Sequence, residues 1–498
     1  MAERKADITV HRVDDVYVWI ECELHIAFSL DEFFTFFVPG YRFMPKFKNK
    51  MWDGKIHLFS IRNRELYSGL TSYVKQFAEQ HKYSIHIDDD VMPQTNVKPE
   101  DVVKFLETLN VHSNGEKIEA HDYQLFGIWC ALKYKRCILL SPTSSGKSLM
   151  IYALARWLRL TRPGKKVLVV VPTTGLVAQM AGDMADYSSH VHWTADDEVH
   201  MIMGGREKDS ECGIYVSTWQ SIFRKHKGYF EKFGTLMIDE VHLATSESLR
   251  GICEKMTECP YKIGLTGTLD DSKTSRLVIE GLLGPVKRTI TTKELMDRKK
   301  VARLNIKALS LIYTDEEKQF MKKAKYQDEV KWLIKHPRRT DFIAKLALAQ
   351  TQNGLILFNN IEHGKDIYKR IKDIDPNRTV HFVDGSVPAD QREQIRHWVE
   401  KEKDSIIVAS FGTFSTGVSI KNLHWGIFAS PSKSKIRTLQ SIGRGLRINS
   451  EKDSFILYDI ADDLTWKRHK NYAMEHFLVR VDYYNREQFE FSLKRIKI

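Results

Sequence analysis

CILLSPTSSGKSLMIYALARWLRL, residues 137–160, decides how the rest of the chain is read. A short apolar run is followed by a serine-rich turn and then by apolar residues at helical spacing, so a buried strand passes through a tight loop into a helix. At a helix N-terminus several backbone amides converge on one point, and small residues let an anion come close to them. Gly146 allows the approach, and Thr143, Ser144 and Ser145 complete the cradle. Lys147 supplies charge for the β and γ phosphates of a nucleoside triphosphate, and the Ser148 hydroxyl can ligate Mg²⁺. Ser141 and Ser144 stand where glycine is common in such loops, so the pattern is relaxed while its physical context is kept.

A second apolar strand, TLMI (235–238), ends in Asp239 and Glu240. Ligands of parallel sheets bind at the carboxyl ends of strands, which is where this acidic pair falls. Asp239 is expected to hold Mg²⁺ through water, and Glu240 to orient and deprotonate the attacking water. Ahead of the phosphate loop, HDYQLFGI (121–128) offers Gln124, whose amide can both donate to and accept from an adenine edge. Far downstream, QSIGRGLR (440–447) puts Arg444 and Arg447 three apart, on one face of a helix. Two guanidinium groups supplied from a second domain would stabilise charge in phosphoryl transfer and tie hydrolysis to domain motion.

Working outward, apolar strands alternate with helices from about 121 to 287 (CILL, KVLVVV, GIYVS, TLMI, KIGLT) and again from about 338 to 460 (GLILF, TVHFV, SIIVAS, WGIFAS, SFILYDI). Such alternation predicts α/β domains with parallel sheets covered on both faces. The expected organisation is a small α/β domain over 1–90 and a linker over 91–120. A first large domain over 121–300 follows, then a helical connector over 301–337, a second large domain over 338–465 and a basic helical extension over 466–498. In the small domain ITVHRV and VYVWIEC read as strands, Ser29 as the cap of a helix through DEFFTFFV, and KIHLF and YSIHID as further strands.

The 498 residues suffice for about three domains. With 42% hydrophobic and 28% charged residues the composition is that of a globular chain, and the net charge of +12 suits an anionic polymer. The six cysteines form no CxxC pair, which argues against zinc and for thiols in a reducing compartment. No signal core or membrane-length apolar run is present, so a cytoplasmic protein is expected. Residues 41–55, YRFMPKFKNKMWDGK, interleave Arg42, Lys46, Lys48 and Lys50 with aromatics including Trp52. Cations neutralise phosphate while aromatic faces stack on unpaired bases, so these residues are candidates for nucleic-acid contact. Trp52-Asp53-Gly54 can equally serve as the turn into KIHLF.

The ordered set YQ (123–124), SPTSSGKS, VPTTGLVAQ (171–179), VSTWQS (216–221), DEVH, GLTGT (264–268), LILFNN (355–360), ASFGTFSTGVSIKN (409–422) and QSIGRGLR resembles the superfamily 2 helicases. GYRFMPKFKNKMWDGKIHLF, DEVHLAT and FSTGVSIKNLHWGIF are similar to the recombination-repair DNA helicases of T-even-type bacteriophages. The resemblance implies two RecA-like domains in tandem, with ATP and Mg²⁺ as cofactors and nucleotide contacts that include Gly417. It implies nucleic-acid contacts at Thr173, Thr174, Thr218, Gln220, Asn359 and Thr416, with Thr266 and Thr268 linking them to the hydrolysis site. It also implies a DNA partner, above all branched junctions, with RNA–DNA hybrids as a further substrate; no membrane partner is expected, and the oligomeric state is left open with a monomer favoured. Ser419 replaces an acidic family residue. An RNA helicase, an ATP-switched annealing protein and a restriction-type translocase are the competing readings.

Overall fold

The structure is a computed structural model that describes residues 6–203, 209–243, 247–269, 273–417, 420–448 and 452–498. By contact density the chain divides into two compact units, residues 1–141 with 146–289 and residues 142–145 with 290–498.

The first unit opens with a five-stranded sheet in the order β5-β6-β2-β1-β7. Its strands are β1 (Ile8–Arg12), β2 (Tyr17–Cys22), β5 (Phe59–Ser60), β6 (Glu65–Tyr67) and β7 (Ile85–Ile87). A separate hairpin, β3 (Thr35–Phe37) with β4 (Lys55–His57), leaves this body. The helix expected to start at Ser29 starts earlier and spans Leu24–Phe33. Ser29 lies inside it and donates back to the His25 carbonyl at 3.1 Å. A hydroxyl has two local uses, capping or bonding the preceding turn, and sequence alone did not separate them.

Residues 91–120, expected to be a linker, are packed. The helix Pro99–Leu109 buries Val102 and Leu109, the Trp129 indole donates to the Val97 carbonyl at 3.0 Å, and β8 (His112–Ser113) pairs with β9 (Glu116–Lys117).

A seven-stranded sheet follows in the order β12-β13-β11-β14-β15-β10-β16, every pairing parallel. Its strands are β10 (Arg136–Leu140), β11 (Lys166–Val171), β12 (Val199–Ile202), β13 (Ile214–Thr218), β14 (Phe233–Asp239), β15 (Tyr261–Thr266) and β16 (Val286–Arg288). Strand alternation sends Cys137, Leu139, Val167, Val169 and Met237 into one core, and Ile138, Leu168, Val170, Leu236 and Ile238 into the other. The second of these cores is continuous with Leu30, Phe34, Leu66 and Phe77 of the small sheet. A polar seam backs this shared core. Tyr67 donates to Glu254 at 2.5 Å and Tyr73 to Glu280 at 2.7 Å, while Arg136 donates to Ser68 and to the Asp15 carbonyl. A Cβ on Gly69 would collide with the Glu280 carbonyl, so the backbones touch.

The second unit holds another seven-stranded parallel sheet, ordered β19-β20-β18-β21-β22-β17-β23. Its strands are β17 (Arg303–Ile312), β18 (Gly354–Phe358), β19 (Val380–Val383), β20 (Ile406–Ser410), β21 (Trp425–Phe428), β22 (Ser454–Asp463) and β23 (Phe491–Lys497). Two expectations are corrected here. The stretch 301–337 is no helical connector throughout, because residues 303–312 form a ten-residue strand inside the sheet. Arg303, Asn305 and Lys307 alternate along it with buried Leu304, Ile306 and Ala308, and residues 309–311 are buried as well. The extension 466–498 is only partly helical. After the helix Tyr472–Arg486 the chain returns as β23 and pairs with β17 over seven residues. Its lysines and arginine point outward and blunt an exposed edge. Among the described residues no helix is long and apolar enough to cross a membrane.

Candidate active site

The loop after β10 delivers the chain into the helix Lys147–Thr161, which has no acidic residue in its first turn. Ser144 takes φ +68° and Gly146 φ +80°. The first value explains why glycine is common at the Ser144 position, and the second shows why Gly146 is needed. A Cβ on Gly146 would also collide with the Gln124 amide. Gln124 therefore lies directly on the phosphate loop, and its Oε1 accepts the His121 amide at 2.8 Å, capping its own helix. Lys147 Nζ donates to the Ser141 carbonyl at 3.2 Å, and Ser145 Oγ to the Pro142 carbonyl at 2.7 Å. Ser148 Oγ lies 2.9 Å from the Tyr187 hydroxyl, a partner that nothing in the sequence announced. Thr289 donates to Ser141 Oγ at 2.9 Å and closes the loop from the next strand.

Asp239 and Glu240 leave the end of β14, one strand from β15 and two from β10. Glu240 adopts φ +52°, an uncommon conformation for a residue with a long side chain. Burial, and then the neighbouring Glu240 charge, push the Asp239 carboxyl up to about 6, with Lys147 opposing them. Asp239 Oδ1 is buried without a hydrogen-bond partner. An orphaned carboxylate oxygen in such a place is the donor a hard cation requires, and with the Ser148 hydroxyl it fits a Mg²⁺ ligand set.

Glu240 is tethered to β15. Its Oε2 lies 3.4 Å from Thr266 Oγ1 and 3.3 Å from His242 Nδ1. Thr266 donates its one hydroxyl proton to the Thr268 carbonyl at 2.8 Å, so His242 Nδ1–H, 3.0 Å from Thr266 Oγ1 and 3.3 Å from Glu240 Oε2, is the donor that these two oxygens share. His242 was part of the DEVH string but carried no assigned role. The structure makes it the strut between the acidic pair and the Thr266–Thr268 turn.

Of the remaining candidates, Thr173, Thr174, Thr218, Gln220 and Asn359 fall at or just after strand ends. Thr173 caps the helix Thr174–Tyr187 by accepting the Leu176 amide at 3.4 Å, and Thr174 is exposed beside it. Thr218 ends β13 but is buried, with its hydroxyl 3.0 Å from Ser221; Gln220 next to it is exposed. Asn359 follows β18 and donates its side-chain amide to the Pro431 carbonyl at 3.2 Å. Arg444 lies in the last turn of the helix Lys435–Gly445, 5.9 Å from the Phe414 ring, and Arg447 just beyond it. Thr416 and Gly417 end the helix Phe411–Gly417, but their side chains, like the whole of Ser419, lie outside the described residues.

On the hairpin, Arg42, Lys46, Lys48 and Lys50 are all exposed, as are Phe43 (81%) and Met51 (77%). Phe37 stacks on Tyr41 with centroids 4.7 Å apart, and Tyr41 meets Phe47 edge-on at the same distance. Trp52 differs from the others. It is half-buried and its indole donates to the Lys55 carbonyl at 2.8 Å, while Asp53 accepts the Lys55 amide at 2.9 Å. This is the turn-forming use of Trp52-Asp53-Gly54.

Comparison with known proteins agrees with this construction. Residues 7–88 match the family described as DNA helicase UvsW, N-terminal. Residues 104–271 match the res subunit of type III restriction enzymes, and residues 338–449 the helicase conserved C-terminal domain. The chain is 36% identical to the ATP-dependent DNA helicase uvsW of Enterobacteria phage T4, over 99% of this chain and 100% of that one. The crystal structure of T4 UvsW matches with a TM-score of 0.53, covering 99% of each chain. The DNA 3'-5' translocase XPB2 of Sulfurisphaera tokodaii is 27% identical over 69% of this chain and 81% of its own. With the phosphate loop, the acidic pair and the tandem parallel sheets in place, the chain belongs to the UvsW family of superfamily 2 helicases and is an ATP-hydrolysing DNA helicase.

Proposed function

We propose that the protein remodels branched DNA, moving Holliday junctions, forks, D-loops and R-loops by branch migration and fork regression during recombination and repair in the cytoplasm of a phage-infected cell. The observation that carries this reading is the exposed basic and aromatic hairpin, held on the ATP-site domain by a shared hydrophobic core. A cationic surface with stacking faces suits a junction, where phosphates of several strands and unpaired bases lie together. Branch migration suits a modest motor, because base pairs lost on one arm are regained on another.

In the hydrolysis step Lys147 and the loop amides hold the β and γ phosphates. Mg²⁺, carried by Ser148 and Asp239, would supply charge neutralisation of the triphosphate. Glu240, oriented by the strut of His242 and Thr266, takes a proton from water as its oxygen bonds to the γ phosphorus, and the bond to the β-phosphate oxygen breaks to release ADP. Arg444 and Arg447 stabilise the charge on the transferring group. Thr173, Thr174, Gln220, Asn359 and Thr416 meet the sugar–phosphate backbone without reading sequence.

The test is a labelled Holliday junction incubated with ATP and either wild-type or Lys147→Ala protein, with RNA–DNA hybrid and linear duplex as parallel substrates. Junction movement by wild type alone is expected. Equal movement by Lys147→Ala, or annealing that ignores ATP, would refute the motor reading, and preference for the hybrid would redirect it to RNA.

A further inference from the structure

Residues 429–434 follow β21 and lead into the helix Lys435–Gly445, which carries Arg444. This loop is held by two buried arginines. Arg480, from the C-terminal helix, is 1% exposed. It donates to both oxygens of Asp459 at 2.8 to 3.1 Å and spends Nη1 on the Ser432 carbonyl at 2.6 Å. Arg339, fully buried, pairs with Asp462 at 2.7 and 3.0 Å and donates to the Ala429 carbonyl at 2.7 Å. Asp459 and Asp462 are three apart on β22, so alternation sends them to opposite faces of the sheet. Phe428 pairs in register with Asp459, which puts the carboxylates at the root of the loop.

The rest of the loop is held as tightly. His363 Nε2 lies 3.2 Å from Arg339 Nη1; a guanidinium only donates, so Nε2 accepts and Nδ1 carries the proton toward Ser430 Oγ at 3.3 Å. Ser430 Oγ also accepts the Asn359 amide at 3.1 Å, and Pro431 O accepts Asn359 Nδ2. Tyr483 donates to the Lys433 carbonyl at 3.1 Å, and Ser434 N to Ser432 Oγ at 3.3 Å. Ser434 then caps the arginine-bearing helix by accepting the Arg437 amide at 3.4 Å. Buried ion pairs add little net stability over apolar packing of the same shape, so two of them converging on the carbonyls of one loop point to a demand for geometry.

We propose that Arg480 and Arg339 are positioning residues for ATP hydrolysis, fixing the loop 429–434 so that the helix Lys435–Gly445 presents Arg444 and Arg447 in the geometry the transition state requires. The C-terminal helix Tyr472–Arg486 thereby takes part in the catalytic cycle. This inference rests on the role given to Arg444 under Proposed function.

The experiment compares full-length Arg480→Lys, Arg444→Ala, the double variant and Ile371→Ala in DNA-stimulated ATP hydrolysis, below the unfolding temperature of each. Lysine keeps a charge beside Asp459 but cannot span both the carboxylate and the Ser432 carbonyl. Ile371 is buried in the core of the same unit and makes none of the loop's hydrogen bonds, so its truncation controls for lost stability. Arg480→Lys should lower kcat about ten- to a hundredfold, the scale of a misplaced catalytic group, with KM for ATP within about twofold. Ile371→Ala should lower only the melting temperature. The double variant should be no slower than Arg444→Ala, because Arg480 acts through it. Wild-type kcat in Arg480→Lys, an equal loss in Ile371→Ala, or multiplied losses in the double variant would overturn the inference. Wild-type turnover in Arg444→Ala would instead overturn the role assigned to Arg444.

Discussion

The first large sheet runs β12-β13-β11-β14-β15-β10-β16 and the second β19-β20-β18-β21-β22-β17-β23. Each strand of one has a counterpart seven numbers later in the other, so the two sheets share one strand order without visible sequence repetition. What differs is the chemistry at the strand ends. After β10 comes a glycine-containing loop and a helix start free of acid. After the counterpart β17, Thr314 and Glu317 form a capping box, and Asp315, Glu316 and Glu317 fill the first turn. The first helix terminus invites an anion, and the second is sealed against one. After β14 come Asp239 and Glu240; after the counterpart β21 comes the arginine-held loop. One scaffold therefore carries the candidate phosphate loop in one copy and a loop pinned by two buried arginines in the other, which is how a repeated fold can acquire distinct roles.

The sharpest way to break this comparison is to count nucleotides. Equilibrium dialysis should find one ATP per chain, and Lys147→Ala should abolish that binding or reduce turnover by about 10³-fold or more. A second ATP of similar affinity that survives Lys147→Ala would show that the second sheet is not sealed. Next in size is the buried charge of the second sheet. Asp462→Ala would strand Arg339 and should cost about 3–5 kcal/mol in denaturant unfolding, whereas an exposed pair such as Arg303 with Glu490 should cost under about 1 kcal/mol.

The first sheet has its own buried cation. Burial, and then the neighbouring Arg136, hold Lys262 down to about 8, below the ordinary 10.5. Between those values the unfolded chain binds more protons than the folded one, so this group makes stability rise with pH from about 8 to 10.5. Lys262→Met should remove that rise and stabilise the protein at pH 7, as read from unfolding midpoints at pH 7, 8 and 10. An unchanged pH slope would sink the assignment. The smallest expected effect is on binding. Replacing Lys46, Lys48 and Lys50 by Gln should lower the slope of log K against log salt by about 2 to 3, and an unaltered slope would take the hairpin out of the DNA contact.

The candidate ATP site could be drawn from the sequence because its parts are local. Residues 141–148 and 239–242 each carry their chemistry within one loop, and an apolar strand announces both. The parallel sheets were legible for the same reason: strands such as KVLVVV and GLILF are buried on both faces. The strand at 303–312 was hidden because polar side chains, Arg303, Asn305 and Lys307, alternate through its first half. The strand at 491–497 was hidden because FSLKRIK sits on an edge, mostly exposed, and is recognisable only through its pairing with β17. The partners of Asp459 and Asp462 were invisible for another reason. Arg480 and Arg339 look like surface arginines on helices until the fold brings them under one loop. At Trp52 the sequence left two uses open, stacking and turn formation, and the structure adds that its indole nitrogen donates into the turn.

The seam between the small N-terminal sheet and the first large sheet leaves no room for a swivel. Detaching the leading ninety or so residues would take Leu30, Phe34, Leu66 and Phe77 out of the shared core, leave Arg136 without Ser68 and Asp15, and leave Glu254 and Glu280 with only Arg250 and Arg276 of their own helices. The hairpin therefore travels as a fixed blade on its carrier, not as a bead on a string. On the proposed function, a displacement of the ATP-bearing lobe would be handed to a bound junction undiminished, and a shortened protein begun after the seam should be an aggregating fragment and not a simpler engine.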